Sequence, residues 1–368
     1  MKRLLDHDTL RAMARGCAVL GAGGGGDTYY GLLQALQAAE DFGPVTLVDV
    51  DDLPGDGLIM SCGGVGAPLV GLEKIEAGDE GDRLKNLLER HTGRTVVALM
   101  SSEIGGGNGL IPVTWAARMG LPVVDADGMG RAFPLVSQVT MQLAGISPCP
   151  AVMTDERGNV VVFRAISGDW VERLERAAAA EFGGLGQATD FPLTAAQARE
   201  ATVRGSVSQA IRIGEAAASS PDGPVAAVIA ATGAFRLVGG KVLDVHREVA
   251  EGFMRGSVVI EGLSEDAGRL IRLELQNEHL VALERGRLLA SVPDLITVLD
   301  SETADAVSAE RIRYGQRVVV IAFGCDPIWR TERGITAAGP RAFGYDFDFV
   351  PVEELAAAAA TSRAATFT

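Results

Sequence analysis

Histidine, cysteine and aromatic side chains are scarce in this 368-residue chain, which has four His, four Cys and 5% Phe, Trp and Tyr combined. His7, His91, His246 and His279 show no H-x-H or H-x-x-x-H spacing, so no His-based zinc site is legible. Cys17, Cys62, Cys149 and Cys325 are scattered and form no CxxC pair, which argues against a zinc ribbon and a disulfide framework. Reduced thiols in a cytoplasm are the simplest account, so a cytoplasmic protein is expected. Long apolar runs are missing as well. Nothing approaches the ~20 residues of a membrane span, and Met1-Lys2-Arg3-Leu4-Leu5-Asp6-His7-Asp8 lacks the apolar stretch of a secretion signal. Positive charge is in deficit: 33 Lys and Arg against 48 Asp and Glu give −15. Such a field repels phosphate backbones and no basic, aromatic-interleaved cluster offsets it, so neither nucleic acid nor a membrane is an expected partner.

What the chain does have is small and aliphatic. Hydrophobic residues make up 47% and glycine numbers 46, so the core must be built from Ala, Val, Leu and Ile with few rings. At ~100–200 residues per domain, the length suggests two domains. Over 1–165, helical patterns at 9–15, 28–40, 81–91 and 113–118 alternate with strand-like runs at 17–20, 45–50, 58–61, 96–100 and 122–125. Continuous apolar runs such as Val96-Val97-Ala98-Leu99-Met100 imply burial on both sheet faces. An α/β domain is therefore expected, with a largely parallel sheet and flanking helices. Beyond 165, helical patterns at 170–182 and 193–219 precede short β-type segments at 236–245, 257–260, 270–275, 280–283, 295–298 and 317–323. These predict a smaller, mostly-β C-terminal domain over 166–368 with two helices at its start. The alanine run at 356–360 carries no chemistry.

Four glycine-rich junctions follow predicted strands. The first is Gly21-Ala22-Gly23-Gly24-Gly25-Gly26-Asp27, in which Gly21, Gly23 and Gly26 match G-x-G-x-x-G and Asp49 lies where a ribose-binding acid is expected. Asp27, however, puts a carboxylate where a phosphate would compete for the same helix-terminal amides. A dinucleotide site, a ligand-binding turn without nucleotide and a structural turn all remain open. The others are Ser61-Cys62-Gly63-Gly64-Val65-Gly66-Ala67-Pro68, Ser101-Ser102-Glu103-Ile104-Gly105-Gly106-Gly107-Asn108-Gly109, and Asp125-Ala126-Asp127-Gly128-Met129-Gly130-Arg131-Ala132-Phe133-Pro134. In a parallel sheet the strands' carboxyl ends share one edge, where ligands bind. The four loops would bring Asp27, Glu103, Asn108, Asp125, Asp127 and Arg131 into one crevice lined by backbone amides. Clustered carboxylates need either a retained proton or a positive charge from Arg131 or a metal. Glu103, Asp125, Asp127 and Arg131 are the candidate catalytic residues. Gly24, Gly25, Asp27, Gly66, Ala67 and Asn108 are the candidate contacts to a small-molecule substrate. One of the two aspartates could equally cap the following helix. A divalent metal on oxygen ligands stays open, although the spacing fits no standard motif. No organic cofactor is favoured.

His246, in Asp244-Val245-His246-Arg247-Glu248, fits a solvent-facing strand better than a site. Cys325, in Gly324-Cys325-Asp326-Pro327, and Cys62 could act as thiolates only beside a cation or histidine, and Arg330 is the only cation close in sequence to Cys325. Small buried cysteines are the plainer reading of both.

The loops, in this order, resemble the family long catalogued as domain of unknown function 917 (DUF917) and described as S-methyl-thiohydantoin desulfurase-like. The resemblance spans essentially the whole chain. It rests on residues 21–27, Gly66-Ala67-Pro68, Glu103 to Asn108, the 125–134 stretch, Gly252-Phe253 through Gly256, and Gln276-Asn277-Glu278. It implies a two-domain hydrolase acting on a thiohydantoin-like ring, in which water replaces the S-methyl group and releases methanethiol and a hydantoin. Glu103 or Asp127 would then activate water, Arg131 and loop amides would stabilise charge, and Asn108 would orient the ring. The resemblance also implies a hydantoinase/oxoprolinase-type protein as a candidate partner, which leaves a non-catalytic subunit as one alternative. A nucleotide-dependent enzyme using the first loop is another. A homodimer is compatible with the extended β-rich domain but not required by it.

Overall fold

The structure is a computed structural model that describes every residue except Met1, Pro68, Leu69, Leu72, Pro221, Asp222, Glu251, Gly252, Phe367 and Thr368. Pro68 and Gly252, which belong to the motifs above, thus lie outside the described residues.

The chain opens with β1 (Arg3–Leu5), α1 (His7–Leu20), α2 (Thr28–Phe42), β2 (Val45–Val48), β3 (Leu58–Gly66), α3 (Glu80–Thr92), β4 (Val96–Ser101), α4 (Ile111–Met119) and β5 (Val123–Asp127). Local chemistry sets several of these limits. Asp6 accepts from the Thr9 amide to start α1, and Asp27 accepts from the Tyr29 amide to start α2. Gly93 and Gly120 close α3 and α4 in the left-handed conformation. There follow α5 (Thr140–Leu143), β6 (Ala151–Thr154), β7 (Val160–Phe163), α6 (Gly168–Glu181), β8 (Leu185–Thr189), β9 (Leu193–Thr194), α7 (Ala195–Ala201), β10 (Val203–Arg204), α8 (Ser206–Ala218) and α9 (Pro224–Thr232).

These strands form one ten-stranded sheet with the order β1-β2-β5-β4-β3-β8-β6-β7, with β10 beside β5 and β9 beside β3. The strands β2, β5, β4 and β3 are mutually parallel, and antiparallel strands extend the sheet on both sides. One face packs under α1, α2, α3, α4 and α8, and the other packs under α7 and Trp329. The expected parallel sheet with flanking helices is therefore present as the centre of a larger mixed sheet. Three of its strands, β8, β9 and β10, come from beyond residue 165.

The second sheet is wholly antiparallel, with the order β15-β14-β13-β12-β11-β17-β16, and is built from β11 (Phe235–Ala250), β12 (Phe253–Gly262), β13 (Leu270–Gln276), β14 (Glu278–Glu284), β15 (Arg287–Ser291), β16 (Leu295–Asp300) and β17 (Arg317–Phe323). Helices α10 (Glu332–Ala338) and α11 (Val352–Thr366) complete the chain. Residues Leu295, Leu299, Val319, Ile321 and Phe323 of this sheet share a core with α1 and α8, so the two sheets are packed across those helices.

Three sequence expectations are corrected. Residues 17–20 end helix α1 rather than forming a strand, since an apolar run suits a buried helix turn as well as a strand. The first glycine loop therefore joins two helices, and the strand that a dinucleotide fingerprint requires before it is absent. The helix expected over 193–219 is split into β9, α7, β10 and α8, with Gly205 at φ +75° marking the last break. Residues 63–66 are strand rather than loop: β3 pairs with β4 up to Cys62 and then with β8 through Gly63, Gly64, Val65 and Gly66.

Candidate active site

A cavity of about 360 Å³ lies against the second half of β3, where Gly63, Gly64, Val65 and Gly66 pair with β8 after the strand has left β4. Glycines supply much of its floor, because a side chain at several positions would collide with backbone. A Cβ on Gly25 (φ +76°) would lie 2.1 Å from the Gly105 carbonyl oxygen, and one on Gly66 would lie 2.2 Å from that of Gly184. The first and third glycine loops are thus laced together. The Gly107 amide donates to Gly26 O (3.0 Å) and the Asn108 amide donates to Gly25 O (3.1 Å).

Glu103 is the acid at the centre of this arrangement. It is buried, Oε1 accepts from the Asn108 side-chain amide, and Oε2 accepts from the Phe133 N–H at 3.2 Å. Burial outweighs these bonds and pushes its carboxyl up to about 8. The Asn108 orientation is fixed from the other side, since its Oδ1 accepts from the Gly64 amide at 3.0 Å. A second acid comes from the other sheet. Glu278, at the start of β14, lines the same cavity at 2% exposure, with Oε2 unpartnered. Its carboxyl is held well above the ordinary range by burial and then by the charge of Glu103, against the opposing charge of Arg131. The rest of the wall mixes polar side chains with an apolar part formed by Leu33, Val65, Ile111, Phe133, Leu135 and Val136.

The structure brings Gly25, Asp27, Gly66, Glu103 and Asn108 together around the cavity. It does not bring the other candidates to it. Asp125 accepts from the Ser208 amide (2.9 Å) and hydroxyl (2.5 Å), which holds the first turn of α8. Asp127 is fully buried, and its Oδ2 gathers the amides of Ile104 (2.8 Å), Met129 (2.9 Å) and Gly130 (2.7 Å). Burial raises its carboxyl to about 6, and its geometric effect is to clamp the loops that carry Glu103 and Phe133. Arg131 is also fully buried and donates to the carbonyls of Ala132, Pro293 and Asp294, with its guanidinium 4.4 Å from the Phe133 ring centre. Burial lowers it to about 10, still charged at neutral pH. Ala67 donates its amide to Gly184 O, and Gly24 sits at a neighbouring cavity of about 170 Å³. Asp27 lines both cavities and is paired with Arg311.

Several cavity residues were not among the candidate site residues: Gln187, Glu76 and Asp190, which no motif announces, and Asn277 and Glu278, which entered only as part of the family resemblance. The signal that could have found Asn277 and Glu278 is their place in the motif Gln276-Asn277-Glu278, between two strand-like runs. The first glycine loop lies against this motif. A Cβ on Gly24 would fall 1.9 Å from Glu278 Oε1, and one on Gly23 would fall 2.6 Å from the His279 ring. His279 donates its amide to Ala22 O at 2.8 Å, and its ring Nδ1 meets Ile296 O at 3.0 Å. Burial keeps that ring neutral, at about 4. Burial also holds the thiols of Cys62 and Cys325 far above their ordinary value, and neither faces the cavity. Among the described residues, no three His, Cys, Asp or Glu side chains are grouped so as to hold a metal ion. No helix among the described residues is long and apolar enough to cross a membrane.

Fold and cavity together define a two-sheet α/β protein with an acid-lined pocket of small-molecule size. Family models described as S-Me-THD-like, N-terminal domain, and S-Me-THD-like, C-terminal domain, match residues 8–165 and 166–352. The chain belongs to this S-methyl-thiohydantoin desulfurase-like family. A protein from Chromobacterium violaceum with an X-ray crystal structure is similar in fold, with a TM-score of 0.79, 24% identity, and coverage of 95% of this chain and 100% of that one. None of the curated proteins matches the chain.

Proposed function

We propose that the protein hydrolyses a small cyclic amide or thioamide, with an S-methyl-thiohydantoin as the substrate class. The observation that carries this reading is that Glu103 and Glu278, two proton-retaining carboxyls from different parts of the fold, line one cavity of small-molecule size. A carboxyl near 8 is scarce as carboxylate at neutral pH but strongly basic when ionised, which suits a general base. Glu103 takes a proton from water as the water oxygen bonds to the ring carbon between the two nitrogens. The electron pair of the ring C=N bond moves to nitrogen, which takes the proton of Glu278. The C–S bond then breaks, and the methanethiolate takes the proton held by Glu103. The intermediate's hydroxyl proton returns to Glu278 as the carbonyl forms. One water is consumed, and one methanethiol and one hydantoin are formed. Asn108, fixed by Gly64, holds Glu103 in place throughout.

The test is thiol release from a panel of S-methyl-thiohydantoins, followed with a thiol reagent before and after chelation and metal addback. Wild type should release thiol, and Glu103→Gln should lower kcat/KM by roughly 10²–10⁴ while keeping a cooperative melt. Full turnover by the variant would remove Glu103 from the chemistry. No release by wild type from any panel member would remove the substrate class and turn attention to co-purifying hydantoinase-type partners. Loss on chelation with recovery on metal addback would assign the carboxylates to a metal.

A further inference from the structure

Among the polar side chains on the cavity, Gln187 has incomplete hydrogen bonding that the proposed chemistry does not use. Gln187, on β8 and paired in register with Gly64, is 94% buried, its relative exposure being 6%, and lines the cavity. Its Nε2 donates to Glu76 Oε1 at 2.5 Å, and Glu76 Oε2 accepts from Gln34 Nε2 at 3.2 Å. In this arrangement the Gln187 nitrogen faces Glu76 and its carboxamide oxygen faces away from it. That oxygen, Oε1, is buried and has no partner. It lies over the bare Cα of Gly64, where a Cβ would be 3.7 Å from Gln187 Oε1 and 3.5 Å from Asn108 Oδ1. Glycine at 64 therefore leaves clear the space between this acceptor and the amide that holds Glu103. A buried acceptor without a donor is unfavourable in the free protein, and a bound molecule that supplies the donor removes that penalty.

We infer that Gln187 is a specificity-determining residue whose carboxamide oxygen accepts a ring N–H of the substrate beside Glu103. This rests on the cyclic-amide reading above and extends it: the enzyme takes rings with a free N–H at one position and rejects those alkylated there. Rejection is strong in such sites because the methylated ring leaves the buried oxygen unpaired.

The experiment is calorimetric binding of hydantoin and its two singly N-methylated isomers to wild type and to Gln187→Met, a variant of similar volume without the acceptor. Wild type should bind one N-methyl isomer at least ten-fold more weakly than hydantoin. Gln187→Met should bind hydantoin at least ten-fold more weakly than wild type does, and the difference between hydantoin and that isomer should collapse. The wild-type comparison needs no variant and stands even if Gln187→Met folds poorly. Equal binding of all three rings by wild type, or an unchanged ratio in Gln187→Met, overturns the role of Gln187 alone. Failure of wild type to bind any of the rings overturns that role together with the cyclic-amide reading.

Discussion

Glu103 is most readily tested through its proton. A base must be ionised to act, so kcat/KM should rise with pH through about 8 and the limb should vanish in Glu103→Gln. Stability should move the opposite way. Because the folded state holds this proton to higher pH than the unfolded chain does, raising the pH from about 5 to about 8 weakens the fold at this position. The melting temperature of wild type should therefore fall relative to that of Glu103→Gln across that window. Parallel pH dependence of the two proteins would place the carboxyl in a far less buried setting. The thiols give the complementary result. With Cys62 and Cys325 held protonated by burial, Cys62→Ala and Cys325→Ala should leave turnover within about two-fold of wild type, because no thiolate forms at working pH.

At the scale of elements, the glycine loops separate into positions where space is the constraint and positions where only conformation is. Gly26 has φ +83° and open space around its missing Cβ, so Gly26→Ala should cost about 1–2 kcal/mol, the price of left-handed backbone. Gly25→Ala adds a collision with Gly105 and should cost about 1–3 kcal/mol more in denaturant unfolding. Equal losses would show that the two loops are not interlocked. The loops were visible in the sequence as glycine runs, and so were Glu103, Asn108 and Asp27 within them. Their surroundings were harder to read. Cys17-Ala18-Val19-Leu20 is apolar in every direction because α1 is buried between α8 and the second sheet, which erases the period that distinguishes helix from strand. Strand β15 was missed because Leu288-Leu289-Ala290-Ser291 is short and its turn is made by Arg285 and Gly286, both at positive φ. Asp125 and Asp127 had the residue type of catalysts and the positions of a helix-holding acceptor and a loop clamp. Spacing alone does not separate those roles.

For the whole molecule, the decisive tie is Arg131, which reaches from the first sheet's loops to the carbonyls of Pro293 and Asp294. Arg131→Met should destabilise the protein by about 1–3 kcal/mol, since it leaves the buried carbonyls of Ala132, Pro293 and Asp294 without their donor. Urea unfolding followed at Trp329, whose indole donates to Met129 O at 2.7 Å, would report it. An unchanged midpoint would mean that the two sheets hold together without this contact. A parallel sheet followed by a mostly-β region was legible in the strand-like runs, and the family resemblance in motifs spread over the chain, but the sheets do not divide near residue 165: the first takes β8, β9 and β10 from beyond it and the second begins at Phe235. The sharing was not legible, because no local pattern signals that β8 and Glu278 complete a pocket begun by residues 25–108.

That sharing has a consequence for how activity arises as the chain is made. The ribosome supplies the glycine loops and Glu103 first, Gln187 next, and Asn277 and Glu278 last. A nascent chain, or a fragment ending before β13 is complete, has Glu103 but neither Asn277 nor Glu278 to complete the lining of the cavity. Until β14 has been made, the chain therefore lacks the second acid of the cavity, the group to which the proposed reaction assigns the proton for the ring nitrogen.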